Sequence, residues 1–283
     1  MFQDLLITIK AQANSFTKTE KAIANYVLSH ASDVPYMSIS ELAAACHVGE
    51  TSVFRLCRLL GKSGYQDFKM NLAHSLGQSM SGPQPIDCIV GDQDSEPEMI
   101  QKVLNNCVSM LYETHRLLDV KGIATATRWL VEAKHICFFG IGGSSSSAFD
   151  AQNRFLHFCP KSEYISDVHL QFMRASLMNA GDVAVFFSYS GSTKELLPSA
   201  RAAKAAGSKI ICISRFFSSP LAELSDLLLL CGGNEGPYQR GNLGAKISQL
   251  FLIELLSISY RLTDAANCTR CAASATRALW EDA

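Results

Sequence analysis

At 283 residues, with 48% hydrophobic side chains and a formal charge of −1, the chain has room for one large or two ordinary domains and carries no bulk basic field. Any grip on nucleic acid must therefore come from a local patch. No apolar run approaches the ~20 residues that span a bilayer, and the opening MFQDLLITIK has an early Asp4 and no small-residue cleavage pattern, so it does not read as a secretory signal. The ten cysteines lie mostly in apolar segments (Cys57, Cys107, Cys137, Cys212, Cys231), which suits reduced thiols in a cytoplasmic protein rather than a disulfide framework. Cys268 and Cys271 form a lone CxxC with no second pair and no nearby histidines, and no metal or cofactor is expected there.

Residues 1–77 are helical in pattern. Thr17 with Glu20, and Ser38 with Glu41, fit the S/T-x-x-E box that starts helices. After Ser38 the apolar positions Ile39, Leu42, Ala43 and Cys46 line one helical face. His47-Val48-Gly49 then reads as a tight turn, followed by a short helix from Glu50 to Leu60 closed by Gly61. In that second helix Val53, Leu56 or Cys57, and Leu60 face inward, leaving Thr51, Ser52, Arg55 and Arg58 outward. Two short helices joined by such a turn form a helix-turn-helix, whose second helix enters the DNA major groove. Arg55, Arg58, Lys62 and Lys69 fall close together, opposed by Asp67, and long cations suit phosphate contacts while Arg also reads guanine edges. The plainer alternative is a small helical bundle with a solvated basic face.

Residues 78–97 carry Pro, Gly, Ser and Asp without periodicity and read as a linker. From Glu98 onward long helical patterns alternate with short apolar runs. An amphipathic stretch at 98–118 is expected to pack outside a sheet. Strands are expected at 135–139, 183–188, 209–214 and 226–231, with a weaker one at 163–166, and 241–262 is expected to form a closing helix. Strands alternating with helices give an α/β fold with a parallel sheet covered on both faces. We see no internal repeat. The domain plan is 1–77 helical, 78–97 linker, 98–265 α/β and 266–283 a C-terminal tail.

Two polar loops follow strands in this second region. HICFFGIGGSSSSAF runs from an apolar strand through glycines and four serines into a helix. Its GIGGSS spacing lacks the third glycine of a dinucleotide fingerprint, and no acidic residue follows at the usual separation, so a nucleotide is the weaker ligand. DVAVFFSYSGSTKE repeats the arrangement with Ser188, Ser190, Ser192, Thr193 and Gly191. Unpaired backbone N–H groups and the positive end of a helix dipole favour an anion at such loops, and hydroxyls add donors, so a phosphate monoester is the expected cargo. An ordinary polar turn remains the alternative for each loop taken alone. Between the loops, Asp167, His169 and Gln171 alternate, either as pocket residues or with Asp167 merely capping a helix. Glu195 is either an acceptor for sugar hydroxyls or a first-turn acid favoured by the dipole.

GIGGSSSSA and SYSGSTKE resemble the two phosphate-binding loops of the SIS (sugar isomerase) fold. LAAACHVGETSVFRLCRLLGKSGYQDFKMNL resembles the N-terminal domain of RpiR-type bacterial transcription regulators, in its turn, its V-F-R, its L-G and its G-Y-x-D-F-K. That family joins such a domain to a C-terminal SIS domain, so the resemblance covers nearly the whole chain in order. It implies an N-terminal all-α helix-turn-helix domain before a parallel-sheet α/β/α SIS domain. It further implies a phosphosugar held by Ser144, Ser145, Ser188, Ser190 and Thr193, with His169 and Glu195 beside it, and operator DNA gripped by Thr51, Ser52, Arg55, Arg58, Lys62 and Lys69. Lys246 stands where the family often shows Arg. Glu235 is a candidate for completing a neighbouring subunit's site. The expected protein is a cytoplasmic, homodimeric or higher-oligomeric, sugar-phosphate-sensing regulator rather than an enzyme. The alternative is a phosphosugar isomerase with a helical extension, for which His169 and Glu195 are the available bases.

Overall fold

The computed structural model describes residues 4–79, 90–233 and 243–280, so Glu235 and part of the expected linker lie outside the described residues. The chain forms two compact units, one of the residues up to Leu117 with Phe216–Ser218, the other of Leu118–Arg215 and the residues from Ser219 on.

The first unit contains α1 (Leu5–Ala11), α2 (Lys18–Ser29), α3 (Ile39–Ala45), α4 (Glu50–Leu59), α5 (Tyr65–Ser79) and α6 (Glu96–Leu117). Both capping boxes form: Glu20 N donates to Thr17 Oγ1 and Glu41 N to Ser38 Oγ, while each glutamate accepts from the cap's own backbone N–H. That last bond holds the Glu41 carboxyl below its ordinary value. The helices bury Leu5, Ile9, Ile23, Val27, Leu42, Leu56, Phe68 and Leu72 in one core, each worth about 1.5–3 kcal/mol of transfer free energy. The 98–118 stretch was expected against the sheet, but α6 belongs to this unit. Arg116 Nη1 pairs with Asp4 Oδ2 at 3.1 Å, and Asp4 also caps α1. Amphipathicity alone does not name the surface a helix covers.

The second unit is built from α7 (Val120–Glu132), β1 (Ile136–Gly140), α8 (Ser145–Leu156), β2 (Ser162–Tyr164), α9 (Val168–Ser176) and β3 (Val183–Phe187). It continues with α10 (Leu197–Ala205), β4 (Lys209–Ser214), α11 (Pro220–Leu224), β5 (Leu227–Leu230), α12 (Leu243–Thr263) and α13 (Ala265–Trp280). The five strands are all parallel, in the order β2-β1-β3-β4-β5. β1 and β3 are buried along their full length, as a sheet covered on both faces requires. Alternate strand residues supply the two layers. Phe138, Val185, Phe187 and Ile213 pack with Leu130, Phe155 and Leu256 on one face. Cys137, Phe139, Phe186 and Cys212 pack with Ala175 and Ala200 on the other. α12 is apolar and long enough to cross a membrane by composition, and half of its most apolar window is buried in the fold. Residues expected as a tail instead form most of α13, an alanine-rich sequence of high helix propensity.

The chain reverses its winding between β1 and β3. α8, after β1, lies on one face, and α10, after β3, lies on the other. Connections that part in this way leave a crevice at the carboxyl ends of the two strands, the usual ligand site of an open α/β sheet.

Candidate functional site

In the first unit the turn before α4 is set by His47, not by the glycine. His47 is the residue with positive φ, +53°, and Val48 N reaches back to Ala43 O at 2.9 Å. Gly49, with φ −82°, is the N-cap of α4. At the other end Gly61, with φ +74°, closes α4, and Lys62 N bonds to Cys57 O at 2.9 Å. Val53, Leu56, Cys57 and Leu60 are buried, and burial pushes the Cys57 thiol up to about 12. This leaves Thr51, Arg55 and Arg58 exposed and Ser52 half-buried on the other side of the helix. Three of the four cations of the patch are braced by neighbouring groups. Arg58 Nη1 donates to Ser63 O at 3.3 Å, Lys62 Nζ to Asn71 Oδ1 at 2.9 Å, and Lys69 Nζ to Met37 O at 3.0 Å. Asp67, which formally opposes the patch, receives the Ser63 backbone N–H at 2.8 Å, and that bond holds its carboxyl below the ordinary value.

In the second unit Gly140 and Phe187 are register partners at the ends of β1 and β3. Loop 1 (141–145) and loop 2 (188–195) therefore leave the sheet side by side, on strands spaced about 4.8 Å apart. Loop 1 turns through Gly142, φ +61°, and passes directly into α8 with Ser144 at its N-cap. Gly140 must lack a side chain, because a Cβ there would stand 2.6 Å from Ser144 O. Ser145 Oγ donates to Gly142 O at 2.6 Å and Ser146 Oγ to Gly143 O at 2.8 Å, so both hydroxyls tighten the turn. Loop 2 is built differently. Ser188 is buried, its Oγ accepts from Gly191 N at 3.2 Å, and it lies 3.3 Å from Thr193 Oγ1. Ser190 and Glu195 are exposed and Thr193 is half-buried. α10 was expected to open at the loop, yet it begins only at Leu197, with Pro198 in its first turn.

Comparison with known proteins places both units. Residues 3–79 match the model for the helix-turn-helix domain of the rpiR family, and residues 129–259 match the SIS domain. The regulator HexR of Pseudomonas aeruginosa is 33% identical over 260 residues, covering 92% of this chain and 90% of that protein. The chain belongs to the RpiR family. Escherichia coli RpiR is 28% identical over 251 residues, covering 89% of this chain and 84% of its own length. A solved structure of Vibrio vulnificus NanR, complexed with ManNAc-6P, is 28% identical with a TM-score of 0.62 and covers 97% of each chain.

For this RpiR-family regulator the carboxyl edge gathers loop 1, loop 2 and the start of α9. Exposed His169 lies there, in the first turn of α9. The two neighbours of His169 in the alternating D-x-H-x-Q stretch have structural duties. Asp167 caps α9 by accepting from Leu170 N at 2.9 Å. Gln171 is buried, and its Nε2 donates to Gly140 O at 3.1 Å and Ile165 O at 2.8 Å. Tyr189 packs over Gly233, where a Cβ would lie 2.3 Å from the ring. Sequence reasoning missed Gln249, which reaches loop 1 from a helix 102 residues beyond Ser147. Nothing local marks that pairing, because it exists only once α12 packs on α8.

Proposed function

We propose that this regulator senses a phosphorylated sugar at the carboxyl edge of β1 and β3 and converts its binding into a change in operator affinity. The observation that carries the reading is the placement of two hydroxyl-rich loops at the sheet's winding reversal, in a chain whose other unit is a helix-turn-helix. Backbone N–H groups at the start of α8, with Ser144, Ser190 and Thr193, offer donors to phosphate oxygens, while Ser145, whose hydroxyl donates to Gly142 O, shapes the turn. Ser188 supports them from beneath. His169 and Glu195 are exposed at the same edge and face the sugar hydroxyls. The NanR complex with ManNAc-6P supports a sugar phosphate as the ligand class.

On the DNA side Thr51, Ser52, Arg55 and Arg58 read the groove, and the braced Lys62 and Lys69 flank them toward the phosphates. A symmetric dimer, acting in the cytoplasm where its operator lies, would present two such helices about one helical turn apart, ~34 Å. The sugar regulates only by binding one arrangement of that dimer better than another.

A thermal-shift panel of sugar phosphates, repeated with DNA selected by the protein from a random-sequence library, tests the reading, because a bound ligand raises apparent stability by mass action. At least one sugar phosphate should stabilise the protein and alter DNA affinity, while its unphosphorylated form should not. Arg55→Ala should weaken specific DNA binding by about 1–3 kcal/mol. Gel shifts in which Arg55→Ala and Arg58→Ala both bind like the parent would reject α4 as the reading helix. Proton exchange into the bound sugar phosphate in D₂O, lost in His169→Ala or Glu195→Gln, would favour an isomerase instead.

A further inference from the structure

Ser144, at the head of α8, is reached from below by a buried chain of polar groups. Ser147 on α8 and Gln249 on α12 are each 1% exposed. Ser147 Oγ donates to Gln249 Oε1 at 2.6 Å. A primary amide has one accepting end and one donating end, and with Gln249 Oε1 turned to Ser147 the Nε2 is left for the other side. Its Nε2 faces loop 1 and donates to Ser144 Oγ at 3.5 Å. The chain thus runs Ser147 to Gln249 to Ser144, with every hydrogen pointing toward the loop. Ser144 makes no side-chain capping bond to its own helix. A hydroxyl that accepts from beneath keeps its own proton free to donate above.

We propose that Gln249 is a positioning residue for anion binding, orienting the Ser144 hydroxyl as a donor toward a phosphate oxygen. The proposal rests on the phosphate reading of the two loops. With Gln249 absent, the bond that fixes the rotation of the Ser144 hydroxyl is lost, and the site loses a preset donor. The Gln249–Ser144 contact is long for a hydrogen bond. A charged acceptor above Ser144 polarises the chain and strengthens each bond in it, so the contact is expected to shorten on binding.

Titration of the full-length protein with inorganic phosphate, followed by phosphorus NMR, separates the possibilities. Gln249→Met, which keeps the volume and removes both polar ends, should weaken phosphate binding by about tenfold, the loss of one charge-assisted donor. Ser147→Ala should weaken it a few-fold, through loss of the bond that holds Gln249 Oε1. In a Ser144→Ala background both substitutions should have no further effect. A merely structural Gln249 would instead lower the thermal midpoint and cost the same affinity in both backgrounds. If Gln249→Met does not fold by circular dichroism, the Ser147→Ala cycle against Ser144→Ala carries the test. A parent that binds no phosphate overturns the phosphate reading and this proposal with it. A parent that binds phosphate, with Gln249→Met or Ser147→Ala binding equally well, overturns the relay alone.

Discussion

Loop 1 and loop 2 share a formula of apolar strand, glycine and serines before a helix, and they use it in different ways. Loop 1 is a direct strand-to-helix junction whose positive-φ glycine, Gly142, has open space around it. Its own Ser145 and Ser146 hydroxyls close the turn, and Gln249 of α12 reaches it from a distant helix. Loop 2 is bonded and packed more tightly. Ser188, Gly191 and Thr193 bond to one another, Leu221 N bonds to Gly191 O at 3.0 Å, and a Cβ on Gly191 would stand 2.0 Å from Ser219 Oγ. The contrast teaches that a hydroxyl in a phosphate-type loop has two employments, as a donor to ligand or as a strut. The hydrogen-bond partners distinguish them, and composition does not.

The sharpest way to break this comparison is to remove the two loop 2 hydroxyls proposed as ligand donors. Ser190→Ala combined with Thr193→Ala should cost about 1.5–3 kcal/mol per lost bond to charged oxygen. The double variant should lose more than about a hundredfold in sugar-phosphate affinity while keeping DNA binding. Calorimetry showing parental affinity would remove loop 2 from the site.

Next in size is Gly191→Ala. It combines a left-handed backbone penalty of about 1 kcal/mol with an overlap against Ser219 costing about 1–3 kcal/mol. Urea unfolding should show a loss of about 2–4 kcal/mol. A smaller, purely structural effect is expected from Ser188→Ala, about 0.5–1.5 kcal/mol of stability from the lost side-chain hydrogen bond, since the Gly191 N–H keeps Ser188 O at 3.2 Å. Ligand affinity should fall less in Ser188→Ala than in the Ser190/Thr193 pair. The reverse order would make Ser188 a ligand group rather than a strut. The mildest variant is Gly142→Ala, where only the backbone penalty of about 1 kcal/mol applies. A loss there equal to that of Gly191→Ala would erase the distinction between the open and the crowded loop.

Much of the architecture was readable from local pattern. The apolar run at 209–214 coincides with β4, and the S/T-x-x-E pairs mark the starts of α2 and α3. These succeed because strand burial and helix capping act within a few residues. The helix-turn-helix was legible for the same reason, and its turn falls at His47-Val48-Gly49 as expected. Within that turn His47 takes the left-handed conformation, while Gly49 is the N-cap of α4. The helix α3 runs through Ala45, which fixes where the reversal must fall, whatever residue stands there.

The site itself divides along the same line. Sequence alone determined that two serine-rich loops follow buried strands, that a basic helix follows a capped one, and which side chains of that helix stay out of the core. Those facts depend on hydrophobic periodicity and on residues near one another in the chain. Tertiary structure decided that both loops leave neighbouring strands where the winding reverses. It also decided that Ser188 and Gln171 turn inward as supports, and that Gln249 meets Ser144 and Ser147. Those outcomes depend on which helix packs on which face of the sheet, and hydrogen bonds between groups a hundred residues apart leave no local trace.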